Sequence, residues 1–298
     1  MSSESTLSRP PRGSDAPPVG PGDAPRGGPQ GGEGVQLIRH RAGWKKRLNA
    51  WRKRTPLNPY WTERRHLRAG ARRLAESASG VLLDIGGAER PYGEYFTPRV
   101  SRYVGLEYPP MADNLVPELW GFLPRVRHVV DVWGDGNALP FATGCADCVL
   151  LSEVLEHVPH PENLLREAAR VLRPGGRVLL TVPFMAPLHQ LPYDYYRFTD
   201  EGLRKMFEAA GLEAEWIAPR GNAASAAGSM LTQFVLRTLG ARQVNHDGSV
   251  TLSRWRAPLV LPLLALVQAV FAVLERLTDD TSSCLGWSAV AAKPGRRP

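Results

Sequence analysis

The sequence predicts an α/β fold built on a mostly parallel sheet, and three observations predict it. From residue 81 onward, short apolar runs alternate with stretches at helical spacing. The first run stops on a glycine pair, Gly86-Gly87. The second stops on a carboxylate, Glu107, 23 residues after Asp84.

Taken in order, the strands are expected over residues 81–85, 103–107, 128–132, 147–151 and 177–182, the fifth being closed by Pro183. Between the fourth and fifth, Leu164, Leu165, Ala168, Ala169, Val171 and Leu172 recur at helical spacing. Arg173-Pro174-Gly175-Gly176 then halts the helix and turns the chain. Thr199, followed by Asp200 and Glu201, starts a further helix that Gly211 stops. Residues 213–217 read as a sixth strand and 284–292 as a seventh.

The flanks differ in composition from this core, taken as residues 79–219. Residues 1–35 carry almost no large apolar side chain and are expected to be a disordered leader. They lack the apolar stretch of a secretory signal peptide. Residues 36–78 form a basic arm that concentrates the net charge of +8. Trp44, Trp51, Tyr60 and Trp61 interleave its arginines and lysines. Such an arm suits an anionic partner, or it docks on the core as a charged helical face. Residues 220–282 break the strand–helix rhythm. Within them, residues 257–274 are nearly all apolar and close to the length of a membrane span, so the segment reads as a helical insertion that caps the domain or lies on lipid. The final strand and a basic tail are assigned to residues 283–298. With three cysteines no disulfide framework is expected, which fits a cytoplasmic protein. Cys145 and Cys148 are spaced C-x-x-C, but no second Cys/His pair lies at zinc-finger distance, and the spacings call for no metal.

The chemistry is expected at the carboxyl ends of the strands, where open α/β sheets bind ligands. Glycine at 86 and 87 lets the backbone approach a ligand closely. A carboxylate at 107 can accept both hydroxyls of a ribose. After the third strand, Asp135 can accept an exocyclic amine of adenine, with apolar neighbours to sandwich the ring. No glycine stands two or five residues after Gly86, so the G-x-G-x-x-G pattern of NAD-dependent hydride transfer is absent.

Residues 80–211 resemble the class I S-adenosylmethionine (SAM)-dependent methyltransferases of the type 11 family. The resemblance rests on residues 81–87, on Ala138-Leu139-Pro140-Phe141, on Asp147-Cys148-Val149-Leu150, on Glu153-Val154-Leu155-Glu156-His157-Val158 and on Arg170-Val171-Leu172-Arg173-Pro174-Gly175-Gly176. It implies a Rossmann-like, seven-stranded, mostly parallel sheet with a reversed last strand and helices on both faces. It also implies SAM as cofactor. Asp84, Gly86 and Gly87 would line its methionine end, Glu107 would hold the ribose, and Asp135 with Gly136 would meet the adenine. Ser152 would border the cofactor, and Glu153 the acceptor. Ala88 stands where the family usually has glycine.

The stretch Asp194-Tyr195-Tyr196-Arg197-Phe198-Thr199 resembles a signature in a subset of bacterial methyltransferases. There His189 is the candidate base, and Tyr195, Tyr196 and Arg197 would orient an anionic or sugar-like acceptor. The competing reading is a packed loop in which Arg197 pairs with Asp194. His157 is read as a structural residue. The function expected is methyl transfer to a small-molecule, sugar or lipid-linked acceptor, with peripheral membrane contact. The rivals are an RNA or protein methyltransferase gripping through the basic arm, which lacks a recognised nucleic-acid module, and a non-catalytic scaffold on the same fold.

Overall fold

The computed structural model describes residues 54–87, 90–108, 130–245 and 249–295. The expected leader, the arm before residue 54, Ala88, Glu89, His128 and Val129 lie outside them.

Seven strands form one sheet: β1 (Val81–Ile85), β2 (Arg102–Glu107), β3 (Val132–Trp133), β4 (Ala146–Ser152), β5 (Leu172–Pro183), β6 (Glu213–Arg220) and β9 (Gly286–Ala292), in the order β3-β2-β1-β4-β5-β9-β6. The first five run parallel, and β9 runs antiparallel to both β5 and β6. This is the mostly parallel sheet with a reversed last strand that the resemblance implies. The order reverses between β1 and β4, which opens a crevice at their carboxyl ends.

Helices cover both faces because successive side chains of a strand point to opposite sides. Leu83, Ile85, Val149, Leu151, Val178, Leu180, Ala289 and Ala291 share one core with Leu164 and Leu165 of α3 (Pro161–Val171) and Leu203 and Phe207 of α4 (Asp200–Ala209). Leu82, Cys148, Leu150, Leu179 and Val290 share the other with Ala71 and Leu74 of α1 (Trp61–Ala75) and Phe96 of α2 (Gly93–Phe96). The C-x-x-C pair is thereby divided: Cys148 is buried in this second core and Cys145 is exposed. α4 starts at Thr199, whose side chain accepts from Gly202 N at 3.0 Å.

Several strand boundaries differ from those the sequence predicts; β6, for one, runs on to Arg220. Of the strand expected over 128–132, the described residues place Val132 and Trp133 in β3; before them Asp131 N donates to the Gly105 carbonyl at 3.0 Å, and its carboxylate accepts from Gly105 N at 2.7 Å and from Arg90. β5 begins at Leu172 rather than 177, and its register with β4 shifts between Ala146 and Cys148. The Pro-Gly turn is therefore absorbed into a bulged extension, which Gly175 N to Lys293 O (2.9 Å) and Lys293 N to Gly176 O (2.8 Å) tie to the end of β9.

Between β6 and β9 lie α5 (Ala223–Val235), a π turn (Leu236–Gly240), a hairpin of β7 (Ala241–Val244) and β8 (Val250–Leu252), and α6 (Ala257–Leu277). Asn222 caps α5 in a capping box with Ser225, and its amide also donates to the Glu275 and Thr278 carbonyls at the end of α6. α6 buries only one face. There Gln268 accepts from Thr62 N (3.1 Å) and Thr62 Oγ1 (3.2 Å) and donates to the Pro56 (2.8 Å) and Asn58 (3.0 Å) carbonyls. On α1, Arg65 pairs with Glu275, while Arg72 and Arg73 lie 5.4 and 4.2 Å from the ring centres of Tyr95 and Trp216. These cations dock the helix on the domain.

Candidate functional site

At the carboxyl end of β1 the chain must turn sharply without obstructing the crevice. Gly86 does so at φ +72°, and a Cβ there would come within 2.7 Å of Val154 Cγ2. Gly87 lies directly on the Asp84 carboxylate, so closely that any side chain would overlap it. Asp84 is 1% exposed; its Oδ2 accepts from Tyr103 Oη, and its Oδ1 has no hydrogen-bond partner. Burial pushes its pKa up to about 7, with the Tyr103 hydroxyl and Arg90 opposing the shift.

At the end of β2, Glu107 is buried, and its Oε1 accepts from Tyr108 N at 3.0 Å. After β3, Asp135 closes a tight turn, its Oδ1 accepting from Asn137 N (2.8 Å) and Asn137 Nδ2 (3.0 Å). These strand ends surround a cavity of about 300 Å³. Ile85, Leu106, Val154, Val158 and Leu164 give it apolar walls, and Glu107, Asp135, Asn137, Glu153, His157 and Gln190 supply polar atoms.

Of the residues singled out in the sequence, Gly86, Glu107, Asp135, Gly136, Glu153 and Tyr195 line this cavity. The others stand behind it. Asp84 and Gly87 form the layer beneath the first loop. The Ser152 hydroxyl is 3.1 Å from that of Thr181. Tyr196 lies over Phe198 with ring centres 5.7 Å apart and donates to the Pro159 carbonyl at 2.9 Å. Arg197 is bidentate on Asp194 (2.6 and 2.9 Å) and also donates to the Pro187 carbonyl. The polar atoms of Tyr196 and Arg197 thus have protein partners, and neither side chain lines this cavity. His189 also lies off the cavity wall, with Nδ1 3.1 Å from the Pro187 carbonyl.

The structure adds residues that periodicity did not single out. Asn137, Val158, Gln190 and Tyr193 line the cavity, and so does His157, read from sequence as structural. Glu153 (φ 54°) and Gln190 (φ 51°) hold left-handed backbone without being glycine, a strain that collects at binding sites. Arg220, buried at the end of β6, donates to Glu153 Oε1 at 2.8 Å and to the Val182 carbonyl at 2.7 Å. Behind Glu153, Glu156 is fully buried, and both its carboxylate oxygens lack hydrogen-bond partners. Burial, reinforced by the nearby Glu153, pushes its pKa well up. His157 is depressed to about 4 by burial and by His189, so it is neutral near pH 7.

Residues 60–216 match a family model described as a methyltransferase domain. An uncharacterized methyltransferase of Mycobacterium sp. (strain KMS) is 39% identical over 101 residues, covering 34% of this chain and 38% of the relative. Another from Mycolicibacterium paratuberculosis is 40% identical over 111 residues, covering 36% and 40%. The chain thus spans about two fifths of the length of these curated relatives. Among solved structures, the Burkholderia thailandensis 1,6-didemethyltoxoflavin-N1-methyltransferase, crystallised with S-adenosylhomocysteine, aligns over 78% of this chain and 80% of its own. Its identity is 16% and its TM-score 0.44.

Proposed function

The chain belongs to the methyltransferase-domain family, and from that premise we propose that it is a SAM-dependent methyltransferase acting on a small-molecule, sugar or lipid-linked acceptor. The observation that carries this reading is the buried Glu107 carboxylate opening on the cavity at the strand-order switch, beside a glycine loop whose cradle a Cβ would fill.

The residues present fit the cofactor. Glu107 would hold the ribose hydroxyls. Asp135, Gly136 and the apolar side chains of Leu106 and Leu164 would take the adenine. The Gly86 backbone would face the methionine end, with the unpartnered Oδ1 of Asp84 in the layer beneath. When bound, SAM supplies a methyl group already activated by its sulfonium. The protein's own work is then alignment and exclusion of water. Val154, Val158 and Tyr195 wall the acceptor side. Arg220 holds the Glu153 side chain in one place there.

A lipid-linked acceptor is favoured by the outer face of α6. Leu259, Leu266, Val273 and Leu277 are 79%, 61%, 56% and 74% exposed, next to Trp255 at 82%. Arg254 and Arg256 precede this face, a pattern suited to an interfacial helix on an anionic bilayer. By length and composition alone, residues 257–274 could also cross a membrane. However, Gln268 fixes the opposite face to the domain.

The acceptor class is tested by incubating the protein with methyl-labelled SAM and a total bacterial extract, then separating lipid from aqueous products. Label in the lipid fraction supports the reading. Label confined to RNA or protein would overturn it in favour of a polymer acceptor.

A further inference from the structure

Residues that the sequence keeps apart meet beside the cavity. Glu156 and His157 lie in the 3-10 turn after β4 (Leu155–His157), and His189 comes from the loop after β5. Each offers an atom such that all three lie within 4.8 Å of one another. We propose that these side chains form a binding site for a divalent transition metal of the zinc class.

The first argument is the state of Glu156. It is 0% exposed and has no hydrogen-bond partner on either oxygen, a condition that buried polar groups rarely tolerate. The His157 Nε2 does not relieve it, because at 3.6 Å from Oε1 it is too far for a hydrogen bond. Of the neighbouring guanidiniums, Arg197 is held by Asp194, and Arg220 gives Nη2 to Glu153 and to the Val182 carbonyl, which leaves only its buried Nε without a partner. A cation within reach of the imidazoles would satisfy the carboxylate.

The second argument is the arrangement of the imidazoles. His157 Nδ1 is 2.7 Å from the Tyr193 carbonyl, and His189 Nδ1 is 3.1 Å from that of Pro187. A carbonyl only accepts, so each Nδ1 carries the proton and each Nε2 presents a lone pair. That tautomer, fixed by a bond from the other ring nitrogen, is the one metal-ligating histidines adopt. Asp194, whose side chain is buried, accepts from His189 N at 3.0 Å and stands 3.4 Å from its Nδ1, completing an outer layer of carbonyl and carboxylate. The two rings meet edge to face with centres 4.8 Å apart.

Two imidazoles and one carboxylate suit zinc, cobalt, iron(II) or nickel, and not calcium or magnesium, which prefer oxygen alone. Ligand atoms about 2.0–2.1 Å from a tetrahedral ion lie roughly 3.4 Å apart, so the cluster must close by about an ångström on binding. His189, on a loop and 27% exposed, can supply that movement. Three protein ligands leave a coordination position free, and His157 lines the cavity, so the free position suits a water or an acceptor hydroxyl. That use rests on the methyl-transfer reading; the metal site itself does not.

The test is titration of the chelator-treated full chain with Co²⁺, followed by displacement with Zn²⁺, beside His189→Ala and Glu156→Gln. The site predicts one equivalent of cobalt with the strong visible absorption of a four- or five-coordinate ion. It also predicts at least about a hundredfold weaker zinc binding in either variant. His189→Ala alters a partly exposed loop and Glu156→Gln keeps the shape, and thermal unfolding of each shows that the fold persists. Pale, six-coordinate cobalt, or equal zinc affinity in folded wild type and variants, overturns the proposal. SAM binding measured on the chelated protein reads the cofactor site alone, so failure of either reading is recognised separately.

Discussion

Gly87 rests on the carboxylate of Asp84 with no room for a Cβ between them. The first loop is therefore packed against a buried acid, and the two positions constrain each other. Gly87→Ala is expected to cost about 1–3 kcal/mol, as overpacking does, and to weaken SAM binding by moving the Gly86 turn. Urea unfolding and a SAM titration of the variant check this. Unchanged stability and unchanged affinity would show that the loop is not so constrained.

The raised pKa of Asp84 sets the sign of a pH effect. Its folded value of about 7 lies above the ordinary carboxylate value of 3.8, so between these the folded state holds the proton more tightly than the unfolded state. The group's contribution to stability is then fully present below about pH 4 and is lost as pH rises towards 7. Asp84→Asn, which still accepts from Tyr103, lacks this loss. The melting temperature of the variant should gain on wild type between pH 4 and 7 and hold that gain above 7. A difference independent of pH would contradict the assignment.

Gln268 is the polar pin under α6, satisfying two donors of Thr62 in α1 and two carbonyls of the segment leading into that helix. Gln268→Leu removes all four bonds at a buried position and should destabilise the protein by about 3 kcal/mol, since stranded buried groups cost about 1–3 kcal/mol each. Denaturant midpoints of the two proteins measure it. A loss below ~0.5 kcal/mol would mean that the helix is held by its apolar contacts alone.

The opposite face of α6 carries a surface prediction. Leu266 and Leu277 are 61% and 74% exposed, so replacing both with glutamate should leave the melting temperature unchanged. Flotation with vesicles containing anionic lipid should fall by roughly tenfold or more, given about 1.5–3 kcal/mol for burying one leucine. Equal flotation of the double variant would remove the lipid-facing reading.

Much of this was legible in the sequence because it depends on local rules. The β1 and β2 runs, the glycines that end β1 and the carboxylate that ends β2 are set by period and turn chemistry, and the structure places Gly86 and Glu107 on one cavity. The bulged start of β5 was not legible, because pairing with β4 and the link to Lys293 override the turn preference of Pro174-Gly175. Nor were the protein partners of Tyr196 and Arg197. A motif gives the position of a side chain but not the partner it finds, and Pro159 and Asp194 take their polar atoms. The meeting of Glu156, His157 and His189 was hidden for the same reason, since a loop return brings them together and no spacing encodes it.

Calorimetric titration of wild type and Glu107→Ala with SAM reads the proposed contact between Glu107 and the ribose of SAM. Wild type should bind one equivalent, and the variant should bind about 10–100-fold more weakly, the loss of hydrogen bonds to a charged acceptor being worth about 1.5–3 kcal/mol. A folded wild type that does not bind SAM, or a folded variant that binds equally well, would contradict the account.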